Sequence, residues 1–165
     1  MSLRCTAKML TLLGVRATAL ADVPPSDDDW YLNLLWIERR KCLLLTHAGT
    51  LFPIFVADIR KADLRPIGPY VVSLVEEHVR SEGLAGDTLG RLDADGVHLA
   101  KTASRSVLGV MNDTALHARH RIEAMGGIDR LDTFFLNRFL RRALHNRAGD
   151  YVTPLDLVAQ RLRFE

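Results

Sequence analysis

The fold of this chain is organised around residues 101–125, KTASRSVLGVMNDTALHARHRIEAM. Apolar side chains recur here at steps of three and four residues, the period of one helix face. Ser104 suits the N-cap, because its hydroxyl can accept a hydrogen bond from an N–H group of the first turn. Gly126 and Gly127 follow, and glycine readily adopts the left-handed conformation that ends helices. The pattern predicts one long helix with a buried stripe of Val107, Leu108, Met111, Ala115, Ala118, Ile122 and Met125.

Asp113, His117 and His120 fall on the opposite face of this predicted helix. Two imidazoles and a carboxylate on one face can hold a divalent metal ion, and the carboxylate can alternatively orient an imidazole. The competing interpretation is a solvated face, since the segment has no His-Glu-x-x-His or other fixed metal signature. Gly109 lies on the same face, where we expect close packing against another element.

Asn33, Asn112 and Asp113 form a polar constellation without an assigned role. Asn33 lies in the apolar run 30–37, which we expect to form a covered central strand, so its amide needs partners. Asn112 lies at the edge of the apolar stripe of the long helix, next to Asp113.

The basic residues are unevenly distributed along the chain. Residues 101–147 carry nine basic and four acidic side chains, so their formal charge is +5 although the whole chain carries only +2. This asymmetry favours an anionic partner, either nucleic acid or a phosphorylated ligand. The helix start can also attract an anion through its free N–H groups. Three clusters are candidates: Arg39, Arg40 and Lys41; Lys101, Ser104 and Arg105; and Arg138, Arg141 and Arg142.

The remaining periodicities predict a single α+β domain over residues 1–165. We expect a small, mainly antiparallel sheet of three to four strands, packed by about four to five helices. Within the helix expected over 130–144, apolar residues surround most of the surface, which predicts deep packing. Strands are predicted at 30–37, 42–47, 50–59 and 96–101, with Pro53 indicating an edge or a bulge. Shorter helices are predicted at 7–13 and at 69–81, the second with Pro69 in its first turn.

The composition is that of an ordinary globular domain, with 48% hydrophobic and 25% charged residues. Cys5 and Cys42 fit buried free thiols of a reducing compartment, with a single disulfide as the alternative, although no other feature indicates secretion. Lys8 interrupts the first apolar run, and no stretch approaches the roughly 20 apolar residues of a membrane span. We therefore expect a cytoplasmic protein with no membrane association, and no motif identifies a cofactor.

Two segments carry a family resemblance: residues 30–46, WYLNLLWIERRKCLLLT, and residues 101–113, KTASRSVLGVMND. Together they resemble a family of uncharacterised small bacterial proteins known only as a domain of unknown function. The resemblance extends over nearly the full chain, including Arg4-Cys5-Thr6 and the region around Asn137. It implies a small, stand-alone cytoplasmic domain, and it supplies no reaction and no catalytic residues.

Three classes of function stay open at this point. The first is a binding module that holds nucleic acid or a phosphorylated ligand through a basic surface. The second is a metal-dependent hydrolase or nuclease that uses Asp113, His117 and His120, with Lys101 or Arg105 stabilising negative charge. The third is a protein-interaction subunit, such as a regulator, an antitoxin-like partner or a phage-defence component, which an exposed apolar patch would favour. We place the binding module first.

Overall fold

The computed structural model describes residues 1–164, which form seven strands and five α-helices. The strands are β1 (Ser2–Cys5), β2 (Trp30–Ile37), β3 (Arg40–His47), β4 (Pro53–Val56), β5 (His98–Lys101), β6 (His145–Arg147) and β7 (Asp150–Val152). The helices are α1 (Ala7–Leu13), α2 (Ile67–Arg80), α3 (Arg105–Ala124), α4 (Thr133–Leu140) and α5 (Pro154–Phe164). The α+β class is therefore confirmed.

The main sheet is mixed and has five strands in the order β4-β3-β2-β1-β5, while β6 and β7 form a separate hairpin. Strand β1 pairs in parallel with both β2 and β5, whereas β2, β3 and β4 are antiparallel. The expectation of a mainly antiparallel sheet of three to four strands is thus wrong in its details. The physical reason is that α1 forms a crossover between β1 and β2, which makes the two strands run in the same direction.

The sheet has an apolar cluster on each face. Trp30, Leu32 and Leu34 of β2 belong to the cluster beneath α1 and α2, whereas Tyr31 and Leu35 belong to the cluster beneath α3 and α4. Successive side chains of a strand point to opposite faces, so a strand that is apolar on both sides must be covered on both sides. The prediction that residues 30–37 form a covered central strand is confirmed.

The predicted ends of two helices are confirmed at the atomic level. The Thr6 hydroxyl accepts a hydrogen bond from the Met9 N–H ahead of α1, and Gly14 ends that helix in the left-handed conformation at φ 75°. The Ser104 hydroxyl accepts from the Val107 N–H at the start of α3. Strand β4 is shorter than expected, but it begins at Pro53 and lies at the sheet edge, as the proline indicates.

The helix expected over residues 130–144 is shorter than predicted and is not deeply packed. Residues 128–130 form a separate 3-10 turn, and Asp132 caps α4 by accepting from the Phe135 N–H. Leu136 and Asn137 face the sheet, but Phe134 is 58% exposed and Phe135 is exposed as well. Helix α4 packs against the edge strand β4 and against α3, and the rest of its surface is open to solvent.

Three further expectations concern the two thiols, the surroundings of Gly109 and a membrane-spanning helix. Cys5 and Cys42 are buried free thiols, and burial raises the pKa of Cys5 to about 12. Gly109 is exposed, and a Cβ atom there would meet no atom of another element within 4 Å, so the expected close packing is wrong. Within residues 1–164, no helix combines the length and the apolar character needed to cross a membrane.

Candidate functional site

Arg141 lies inside the protein. Its Nη1 is 2.9 Å from Oε1 of Glu82, and its Nη2 is 2.7 Å from Nδ1 of His78. The guanidinium also lies over the ring of Phe52, with its central carbon 4.6 Å from the centroid. The side chain is 1% exposed, so the expectation that Arg141 contributes to a basic surface is wrong. Its long side chain bonds to Glu82 and His78, which are 59 and 63 positions away in the sequence, so no local pattern predicts these contacts.

The other two arginines of this predicted cluster lie on the surface. Arg142 is partly neutralised, because its Nη2 is 2.9 Å from Oε2 of Glu82. Burial tends to raise the pKa of Glu82, but the hydrogen bonds from Arg142 and Arg141 outweigh it and hold that pKa below its ordinary value. Arg138 is exposed on α4, and its carbonyl accepts a hydrogen bond from Arg142. The cluster therefore presents much less free charge than its sequence indicates.

The predicted cluster in the β2–β3 turn is split as well. Arg40 is paired with both Asp58 and Asp129, so its charge is compensated at the surface. Arg39 is exposed in the turn itself, in the left-handed conformation at φ 67°. Lys41 is the next residue of β3 and lies on the α1 side of the sheet. There it is close to Trp36, Lys8 and Lys61, which line the same groove.

An open groove surrounds the side chain of Trp36 beside α1. Trp36 is 50% exposed, and Nζ of Lys41 lies 5.3 Å from the centroid of its indole. The two residues are directly opposite each other on β2 and β3. The groove encloses about 450 Å³ and is lined by Lys8, Thr11, Leu12, Leu34, Trp36, Lys41 and Lys61. We call it the Trp36 groove.

The Trp36 groove concentrates positive charge. Three of the four lysines in the chain line it, and among the described residues no aspartate or glutamate does. Lys8 comes from α1, Lys41 from β3 and Lys61 from the 3-10 turn that precedes α2. Of the three, only Lys41 belongs to a basic cluster in the sequence, because the crossover of α1 and the path of the chain after β4 bring the lysines together.

The predicted anion site at the start of α3, which comprises Lys101, Ser104 and Arg105, is not assembled around one cavity. The Ser104 N–H donates to the Tyr31 hydroxyl at 3.0 Å, but Lys101 and Arg105 are exposed and do not line the adjoining cavity. That cavity encloses about 310 Å³, and its polar lining includes Arg147 and Asp27. The carboxylate of Asp27 opposes an anion there, so the cavity is poorly suited to the phosphate group expected from the sequence.

The polar constellation is not assembled in the structure. Oδ1 of Asn33 accepts a hydrogen bond from the Thr6 hydroxyl at 2.9 Å, which gives the half-buried amide a partner. Asn112 and Asp113 are exposed on α3. Within residues 1–164, no hydrogen bond joins either of them to Asn33.

A second cleft lies between α3 and the chain segment that contains α4. It encloses about 570 Å³ and is lined by His117, His120, Arg121, Ala124, Phe139, Ala143 and Leu144. We call it the α3–α4 cleft. Two predicted residues, His117 and His120, therefore line one cavity, whereas Asp113 does not line it. In the described part of the chain, no three His, Cys, Asp or Glu side chains are placed to share a metal ion.

His145 is the partner of His117 that sequence analysis missed. The two imidazoles are stacked, with centroids 6.1 Å apart and ring planes inclined by 29°. His145 is 3% exposed. Burial lowers the pKa of His145, the charge of His117 lowers it further, and the nearby Asp113 carboxylate opposes the shift. Its position in β6, outside any helical pattern, left no signal that links it to α3.

The fold and these cavities define a small α+β domain with a mixed sheet and an open cleft on each side of it. The chain belongs to the family described as a domain of unknown function (DUF6933), whose profile matches residues 2–157. This match confirms the resemblance carried by residues 30–46 and 101–113. No curated protein matches the chain.

Proposed function

We propose that this domain binds single-stranded nucleic acid in the Trp36 groove. The observation that carries the proposal is the meeting of three lysines around a half-exposed indole, in a groove whose described lining contains no carboxylate. Proteins that bind single strands combine aromatic rings, on which bases stack, with basic side chains that follow the phosphates. The proposal retains an anionic partner but places it away from most of the basic residues singled out from the sequence.

The groove offers contacts for both parts of such a ligand, the bases and the phosphates. A base on the indole of Trp36 would also contact the apolar side chains of Leu12 and Leu34, and stacking contributes about 1–3 kcal/mol per base. Lys41 already lies against the indole, and Lys8 and Lys61 flank it from two other elements. A phosphorylated mononucleotide has the same two chemical parts, so the test must distinguish the two ligands.

Tryptophan fluorescence tests the proposal directly. The chain has two tryptophans, and Trp30 is fully buried, so quenching by a stacked base reports on Trp36. We expect short oligothymidylate to quench the emission at low salt. If the three lysines neutralise three phosphates, the plot of log affinity against log salt should have a slope of about −2. A mononucleotide that quenches as strongly, with a shallower slope, would identify the ligand as a nucleotide instead.

The chain offers a matched control for charge. Lys8→Gln and Lys61→Gln should each weaken binding and make the salt slope shallower by about 0.7. Lys101→Gln removes the remaining lysine, which is exposed at the end of β5 and does not line the groove, and should leave binding unchanged. Trp36→Leu should abolish the quenching and weaken binding. Equal losses in Lys101→Gln and Lys8→Gln, or no quenching at low salt, would contradict the proposal.

A metal-dependent hydrolase or nuclease that uses Asp113, His117 and His120 is the alternative proposal. It is supported by the two histidines that line one cleft and by Asp113, whose charge acts on the neighbouring His145. A rise in melting temperature with Zn²⁺ or Mn²⁺, lost in His117→Ala, would favour it by mass action. The same titration with no rise would count against it.

A protein-interaction subunit is the third proposal. Leu116 of α3, Phe134 of α4 and Leu144 after α4 are exposed apolar side chains. Large apolar side chains that share an exposed patch are typical of interaction sites, and we propose that these three do. The measurement is the sedimentation coefficient of the wild type and of Phe134→Ser, which should differ only if this surface joins two copies of the chain.

A further inference from the structure

We infer that the α3–α4 cleft is a binding site for a small monocarboxylate with an apolar body. The cleft is on the opposite side of the sheet from the Trp36 groove, since α3 and α4 cover one face and α1 covers the other. The inference therefore does not depend on the binding of nucleic acid.

The first line of evidence is a set of buried polar atoms without partners. Among the described residues, none bonds to Nδ1 of His117, Nε of Arg121 or either ring nitrogen of His145. A buried donor or acceptor that lacks a partner destabilises the folded state, so such groups are scarce and call for an explanation. These four atoms belong to His117 and Arg121, which line one cleft, and to His145, which stacks on His117. A polar ligand group in the cleft would reach them through the exposed parts of His117 and Arg121.

The second line of evidence is the way in which Arg121 is held. The central carbon of its guanidinium lies 4.4 Å from the ring centroid of Phe139 and 5.4 Å from that of Phe135. Stacking on aromatic faces orients the guanidinium, and among the described residues its Nε–H has no hydrogen-bond partner. An oriented guanidinium matches the two oxygens of a carboxylate.

The third line of evidence is the composition of the remaining lining. Ala124, Phe139, Ala143 and Leu144 provide apolar walls, and the volume of about 570 Å³ suits a small molecule. The cationic Arg121 in the lining disfavours a metal cation, and no three potential metal ligands are grouped in the described chain. A carboxylate beside Arg121 with an aromatic or aliphatic body against the walls satisfies both kinds of surface.

Nuclear magnetic resonance can test this inference with benzoate and hexanoate as probes. Benzamide and hexanamide, which have the same bodies without the charge, serve as the neutral controls. We expect the carboxylates to shift the ring nitrogens of His117 and His145 and the Nε–H signal of Arg121 in a saturable manner. The inference is overturned if the carboxylates leave these signals unchanged, if the amides bind equally well, or if phenyl phosphate binds more tightly than benzoate.

Substitutions then locate the site. Arg121→Lys keeps the charge but loses the planar fork, so the dissociation constant of benzoate should rise about tenfold. Arg138→Lys, an exposed residue of α4 outside the lining, is the matched control and should bind as the wild type does. Leu144→Ala changes an exposed wall residue, keeps the fold, and should weaken the binding of hexanoate. Wild-type affinity in both Arg121→Lys and Leu144→Ala would overturn the inference.

Binding in the Trp36 groove and binding in the α3–α4 cleft can be tested independently. Quenching of Trp36 by oligothymidylate should persist in Arg121→Lys, and the imidazole shifts caused by benzoate should persist in Trp36→Leu. Loss of both responses in either variant would mean that the clefts do not act as separate sites, which would overturn the inference.

Discussion

Arg141 and Glu82 form an ion pair in the interior, with side chains that are 1% and 7% exposed. The pair joins the end of α4 to the residues that follow α2, and Nε of Arg141 donates further to the carbonyl of Pro53 at the start of β4. Burial lowers the pKa of Arg141, and the hydrogen bond and charge of Glu82 oppose that shift. An arginine that a helical pattern places among surface cations thus connects three elements of the fold.

Replacement of Arg141 by methionine should reduce the free energy of unfolding by about 3 kcal/mol, because a buried carboxylate loses its buried partner. Arg142→Met is the control: this side chain is exposed and bonds the same carboxylate, so the expected loss is below about 1 kcal/mol. Urea unfolding followed by circular dichroism provides both values. Equal losses of unfolding free energy in the two variants would show that burial of the Arg141–Glu82 pair does not stabilise the fold.

Asn137 protects the edge of the sheet. Its Oδ1 accepts from the Phe55 N–H at 2.7 Å and its Nδ2 donates to the Phe55 carbonyl at 2.8 Å. Asn137→Ala should leave both backbone groups of the edge strand unpaired and destabilise the protein by about 2–4 kcal/mol. It should also increase association, since free strand edges pair with other chains.

Asn112→Ala, an exposed substitution on α3, is the control for Asn137→Ala and should change stability by no more than about 0.5 kcal/mol. Thermal unfolding and light scattering distinguish the two variants. A melting temperature of Asn137→Ala equal to that of Asn112→Ala would contradict the assigned role.

His47 makes stability depend on pH. Burial, followed by the charge of Arg161, lowers the pKa of His47 to about 4, and its Nδ1 accepts a hydrogen bond from the Thr50 N–H. The folded protein keeps this imidazole neutral, whereas the unfolded chain protonates it near its ordinary value of 6.5. The stability contribution is therefore full above pH 6.5 and is lost as the pH falls from 6.5 to 4. For this residue the loss is about 3 kcal/mol.

The pH dependence has a second contributor and a clear control. The pKa of His78 is also lowered to about 4, by burial and then by the charge of Arg141, so it acts in the same direction over the same range. His47→Asn keeps an acceptor for Thr50 and should flatten the pH profile of unfolding, whereas the exposed His120→Asn should not. An unchanged profile in His47→Asn would assign the acid sensitivity to other groups.

Gly109→Ala should raise the free energy of unfolding by about 0.5–1 kcal/mol. The residue lies inside α3, glycine is unfavourable in helices relative to alanine, and the added methyl group meets no atom of another element within 4 Å. Gly127→Ala is the contrasting control, because φ is 103° there and the new Cβ would lie 3.1 Å from Oε1 of Glu38. Chemical denaturation should order the variants as Gly109→Ala, wild type, Gly127→Ala, from most to least stable.

The predictions from sequence were most accurate where a structure depends on neighbours in the chain. The cap of α1 at Thr6, the cap of α3 at Ser104 and the limits of β2 all follow from hydrogen bonds or periodicities within a few residues. The α+β class follows from the same local patterns. Of the residues that line the Trp36 groove and the α3–α4 cleft, only Lys41, His117 and His120 were predicted from the sequence as site residues.

The sequence by itself determined strand β2, the caps of α1 and α3 and the apolar faces of β2 and α3, because these depend on short-range backbone geometry and spacing. Tertiary structure alone decided the parallel pairing of β1, the meeting of Lys8 with Lys41 and Lys61, and the stacking of His145 on His117. It also decided the burial of Arg141. These features depend on contacts between segments that are tens of residues apart, whose free energies no local pattern encodes.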